Sequence, residues 1–80
     1  MNTMKASEVR NEIVDRFDCL VRCGDLKVEA DDNTLTLSGK ISAVEAMDEY
    51  VMQKHIPNDC KQIMEYQSLK LKTAYYTYRF

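Results

Sequence analysis

The chain predicts an α+β fold: a two-layer sandwich in αββαβ order, with two helices on one face of a small three-stranded mixed sheet. Three stretches carry that prediction. Residues 9–21 repeat apolar side chains at helical spacing, and residues 44–51 do so again. Between them, residues 26–41 alternate apolar and polar side chains on either side of a turn. Elements with one apolar face each bury those faces by stacking helix on sheet.

The first helix is expected over residues 8–22. Ser7 is a good N-cap, Val9, Ile13, Phe17, Leu20 and Val21 form the apolar stripe, and Gly24 stops it. Leu26, Val28 and Ala30 then alternate with Lys27 and Glu29, which makes a strand with one buried face. Asp31, Asp32 and Asn33 supply the turn, since Asn tolerates the positive backbone angle of a tight hairpin. The second strand runs from about Thr34 to Ile41, with Leu35, Leu37 and Ile41 inward and Thr34, Thr36, Ser38 and Lys40 outward. Gly39 falls on the inward face, which suggests a bulge or the close packing of a helix.

Ser42-Ala43-Val44-Glu45 has the form of a capping box and opens the second helix. Val44, Met47, Tyr50 and Val51 face the core until about His55, and Pro57 ends the helix. Ile63, Met64 and Tyr66 read as a strand whose alternation slips near Gln67. Leu69, Leu71 and Thr73 then alternate with Lys70 and Lys72, and the chain finishes in strand-favouring TAYYTYRF. No Gly or Pro marks a reversal after residue 60, so one bent strand, or a strand with an aromatic tail over residues 73–80, is preferred to two. Residues 1–80 make one domain with a polar tail at 1–6, and the two glycines and one proline leave no flexible linker.

The hairpin that ends L-T-L-S-G-K-I-S, followed at once by a helix beginning A-V-E-A-M, resembles the BON domain, a small bacterial αββαβ module. Leu35, Leu37, Gly39 and Ile41 occupy its V-x-L-x-G-x-V positions. The likeness spans roughly residues 7–72, but Ile56-Pro57-Asn58-Asp59-Cys60 stands where that family has a Gly-Val turn. The resemblance implies a non-enzymatic adhesion module that binds phospholipid, protein or its own copies, and it brings no catalytic residues.

Net charge is −2, which argues against a general nucleic-acid binder. The distribution is uneven. Residues 66–80 hold Lys70, Lys72 and Arg79 and no acid, leaving eight bases against thirteen acids in the first 65. No apolar run approaches the ~20 residues that span a bilayer. The polar start and the odd set of Cys19, Cys23 and Cys60 suit reduced thiols in a cytoplasm, unless a leader has been removed.

Cys19, Cys23, His55 and Cys60 can be written as a metal set, but their spacing fits no common finger, and small buried thiols are the simpler reading. His55, the sole histidine, sits at a helix C-terminus, where positive charge is favourable. No nucleophile triad, phosphate loop or carboxylate pair can be made out, so neither catalysis nor a cofactor is expected.

Two groups of acids, Asp31 and Asp32 (with Asp25) at the hairpin and Glu45, Asp48 and Glu49 on the second helix, read as solvated surface or as an acidic patch for a basic partner. In an extended tail, Lys70, Lys72, Tyr76, Tyr78 and Phe80 share one face, and Tyr75, Thr77 and Arg79 share the other with Leu69 and Leu71. Aromatics with bases suit core packing, a protein interface or, least of the three, nucleic acid.

The leading expectation is a cytoplasmic protein-binding domain anchored by Tyr75, Tyr76, Tyr78, Arg79 and Phe80, with Lys70 and Lys72 beside them. Two others stand next to it. One is a BON-like module that binds membrane lipid or forms a homodimer. The other is an inhibitor, of the kind mobile elements encode, that covers a basic surface with its acids.

Overall fold

The computed structural model describes residues 5–64 and 72–80. The elements are α1 (Ala6–Arg16), α2 (Asp18–Arg22), β1 (Leu26–Ala30), β2 (Thr34–Lys40), α3 (Ile41–Lys54), β3 (Asp59–Met64) and β4 (Thr73–Arg79). The four strands form one sheet in the order β1-β2-β4-β3, and every neighbouring pair is antiparallel.

The α+β class holds, but the three-stranded mixed sheet does not. Residues after Asp59 form two strands instead of one, and β4 inserts between β2 and β3. β2 and β3 run parallel to each other, yet β4 separates them, so no parallel pair forms. The expected strand positions Tyr66, Leu69 and Leu71, and the slip near Gln67, lie outside the described residues.

The first helix is broken where a single one was expected. Phe17 leaves helical geometry at φ −117 and ψ 38, and its ring meets Tyr50 edge-on at 5.2 Å. Gly24 stops α2 as anticipated, at φ +86. Its N–H donates to the Val21 carbonyl at 3.2 Å and that of Asp25 to Leu20 at 3.1 Å, which is the paired closure of a Schellman end.

Both expected N-caps shift. α1 starts one residue before Ser7, and the Glu8 carboxylate accepts the Lys5 N–H at 3.0 Å. α3 starts at Ile41 directly from β2, so Ser42 lies inside its first turn and caps nothing. The Ile41 N–H instead donates to the Lys72 carbonyl at 2.8 Å, a bond to the chain entering β4. A tertiary contact thus does the work that a local side chain was expected to do.

One core joins the layers. Ala6, Val9 and Ile13 of α1 and Ala43, Val44, Met47 and Val51 of α3 meet Leu26, Val28, Leu35, Leu37, Ala74, Tyr76 and Tyr78 of the sheet. α1 lies over β1 and β2, and α3 over β2 and β4. Gly39 does face inward, but what approaches it is backbone and not a helix. At φ +133 its missing Cβ would run into the Asp25 carbonyl, which accepts the Lys40 N–H at 2.8 Å.

Candidate functional site

A strand sends alternate side chains to opposite faces, and β4 does so in the middle of the sheet. Ala74, Tyr76 and Tyr78 turn to the helices, whereas Thr73, Tyr75, Thr77 and Arg79 turn to the side that no described helix covers. This division corrects the expectation for the aromatic tail. Tyr78 is 0% exposed and Tyr76 4%, so neither ring can anchor a partner. Burial, and then the Asp48 carboxylate that accepts its hydroxyl at 2.6 Å, push the Tyr78 hydroxyl far above its ordinary pKa.

Phe80 is half-buried against the core, and its N–H donates to the Asn33 carbonyl at 2.7 Å. Lys72 is exposed at φ +44, with its carbonyl taken by Ile41; Lys70 lies outside the described residues. Of the seven expected contact residues, Tyr75 and Arg79 are exposed together on the open face of the sheet, Tyr75 at 39%.

The register arranges that face in rows. Tyr75 stands beside Ser38 of β2, with Lys27 beyond Ser38. The next row holds Glu29, Thr36, Thr77 and Lys61, and the one after it Thr34, Arg79 and Asp59. Lys40 pairs with Thr73 at the far end. The result is an aromatic ring set among hydroxyls, with Lys27, Lys40, Lys61 and Arg79 outnumbering Glu29 and Asp59. Lys27 and Glu29 lie 4.0 Å apart, and both are well exposed. The outward parity of Thr34, Thr36, Ser38 and Lys40 was legible in the sequence; the place of Lys61 beside Thr77 was not, because it depends on β3 pairing with β4.

Glu45 and Glu49 are exposed on α3, but Asp48 is half-buried and committed to Tyr78. Asp31 and Asp32 border a hollow with Lys5 and Ser7, whereas Glu45 borders another with Lys40 and Lys72. Each group has cations for neighbours.

A second cluster, invisible in the sequence, ties α1 to the end of α3. One Glu12 oxygen accepts the Tyr50 hydroxyl and lies 3.2 Å from His55 Nε2. The Tyr50 ring is edge-on to both Phe17 and His55, and Lys54 Nζ lies 5.8 Å from its centre. Acid, imidazole and phenol together resemble a catalytic set. The His55 side chain is only 3% exposed, however, and all three groups are turned on one another. They form a latch between the helices.

The Tyr50 hydroxyl holds the Glu12 carboxyl below its ordinary pKa of 4.5, with His55 and Lys54 adding to the effect against a smaller cost of burial. A lowered carboxyl pKa contributes stability above the unfolded value, and that contribution is lost as pH falls through the folded one. In acid titration by NMR, the Tyr50 and His55 ring signals are therefore expected to move together below pH 4.5. Glu12→Gln should abolish that step. Identical acid responses in the two proteins would contradict the latch.

Cys19 and Cys23 are exposed and Cys60 is half-buried, so the expectation of buried thiols fails for the helical pair. Burial raises the Cys60 thiol pKa, with Asp48 and Asp59 adding to it. Among the described residues no three His, Cys, Asp or Glu side chains converge as a metal site, and no helix is long and apolar enough to cross a membrane.

Fold and surface together define a class: a small α+β domain whose four-stranded antiparallel sheet is covered by helices on one side and, among the described residues, by no element on the other. No protein family, curated protein or solved structure matches the chain.

Proposed function

We propose that the chain is a non-enzymatic, cytoplasmic binding domain that holds a protein partner against the open face of its sheet, with Tyr75 and Arg79 as anchors. The exposure of Tyr75 in the central strand is the observation that carries this reading. Tyr and Arg are the residue types that most often concentrate binding energy at protein interfaces. Here they stand four residues apart on one face of β4, with Thr77 between them, so the strand's hydrogen-bonded backbone already fixes their spacing in the free protein. The surrounding hydroxyls and the excess of Lys27, Lys40 and Lys61 suit a polar or acidic partner surface. The inhibitor reading would have to work without Asp48, whose carboxylate is engaged by the Tyr78 hydroxyl.

The test is affinity capture with tagged full-length chain, comparing wild type with Tyr75→Ala and Arg79→Ala after circular dichroism confirms both folds. A genuine partner is expected to bind each variant roughly thirtyfold more weakly, the effect of losing about 2 kcal/mol at a hot spot. Equal capture by all three proteins removes the open face as the site. Capture abolished by nuclease reassigns it to nucleic acid.

A further inference from the structure

The free edge of β3 has a feature that the partner proposed above does not use. Two bonds bracket the β2–β4 ladder: Phe80 N–H to the Asn33 carbonyl at 2.7 Å and Ile41 N–H to the Lys72 carbonyl at 2.8 Å. In an antiparallel ladder, the residues that exchange bonds with one neighbour alternate with those that exchange bonds with the other. Ala74, Tyr76 and Tyr78 therefore direct their backbone groups at β2, and Tyr75, Thr77 and Arg79 direct theirs at Ile63, Lys61 and Asp59 of β3. Cys60, Gln62 and Met64 are left with N–H and C=O groups that point away from the sheet. Among the described residues, no strand lies on that side.

We propose that this edge pairs with the same edge of a second copy, antiparallel, about a two-fold axis at Cys60. Such an axis must pass through a residue that faces its own counterpart. At Lys61 it would set like charges together, and at Gln62 it would set Lys61 against Ile63. At Cys60 it sets Asp59 of each copy against Lys61 of the other, twice. Those residues fall at non-hydrogen-bonded positions, where facing side chains approach most closely. Both are exposed. The Cys60 backbone groups then bond to each other, while Asn58, whose N–H donates to the Arg79 carbonyl at 2.8 Å, stays with its own sheet.

The opposite edge fails the same examination. On β1, an axis at Val28 would face Lys27 with Glu29, but it would also bring Asp25 against Asp31 twice. The β3 pairing joins two four-stranded sheets into one of eight strands, with both open faces on the same side. It does not depend on the function proposed above.

The test is light scattering after size exclusion on the full chain across low to high micromolar concentrations. Wild type is expected to dimerise. Lys61→Glu, which turns both facing pairs into like charges, should raise the dissociation constant on the order of tenfold or more. The charge-swapped double variant Asp59→Lys/Lys61→Glu should restore it. In a Cys19→Ser/Cys23→Ser background, a short thiol cross-linker should join the copies through Cys60, whose Cα atoms would sit about 5.5 Å apart. A monomer at every concentration overturns the proposal. So does a dimer that ignores Lys61→Glu, fails to recover in the charge swap, or cannot be linked at Cys60.

Discussion

Tyr78→Ala is expected to remove a large part of the domain's stability, whereas Tyr75→Ala in the same strand leaves it nearly unchanged. Tyr78 is fully buried in the central strand under α3, with its hydroxyl on Asp48. Emptying such a site costs about 3–5 kcal/mol, because the transfer energy of the ring is lost and the cavity collapses only in part. An 80-residue domain holds roughly 4–12 kcal/mol in all. Tyr78→Phe keeps the ring and loses the hydroxyl, leaving Asp48 without its donor, at about 1–2 kcal/mol. Tyr75 lies on the uncovered face, and its removal should stay within about 1 kcal/mol. Urea denaturation of the three variants gives the comparison. Equal losses at Tyr75 and Tyr78 would mean that β4 does not have one covered and one open face.

Gly39→Ala is expected to cost roughly 3 kcal/mol or more, adding the strain of a positive φ to a clash with backbone. The Asp25 carbonyl in its way accepts the Lys40 N–H and cannot retreat without opening the start of the β1–β2 ladder. Gly24 is the internal control. It also has positive φ, but nothing lies near its missing Cβ, so Gly24→Ala should cost only about 1 kcal/mol. The denaturation midpoint is the measurement, read at an unchanged slope. Equal effects would show that strain alone, and not the close approach, calls for glycine at position 39.

These two sites also mark how far the sequence could be read. The hairpin from Leu26 to Lys40 and the helix after it were legible because alternation and helical spacing are local, and Gly24 and Pro57 punctuate them. Asn33 lies in the turn but without the positive φ expected of it, which among the described non-glycine residues falls at Ile56 and Lys72. The inward parity of Gly39 was legible too, though the Asp25 backbone that requires it was not. The third and fourth strands merged because no Gly or Pro separates Met64 from Thr73.

The tyrosines were misjudged for a related reason. A continuous strand puts Tyr76 and Tyr78 on the face of Lys70 and Lys72, which reads as solvent-facing. The positive φ of Lys72 interrupts that alternation, and β4 then takes its parity from Leu35 and Leu37 across the ladder. The Glu12–Tyr50–His55 latch joins residues 38 and 43 positions apart, a distance at which sequence periodicity carries no information. Tyr75 and Arg79 were found as candidate anchors, but what separates them from Tyr76 and Tyr78 is sheet order.

The central claim is that the open face is the working surface. Its most direct test is chemical-shift mapping of the captured partner onto the isotopically labelled full-length chain. The amides of Thr36, Lys61, Tyr75, Thr77 and Arg79 are expected to move together while those of α3 stay in place. Shifts confined to Glu45, Glu49, Asp31 and Asp32, with the sheet unmoved, would contradict it and return the function to the acidic surface.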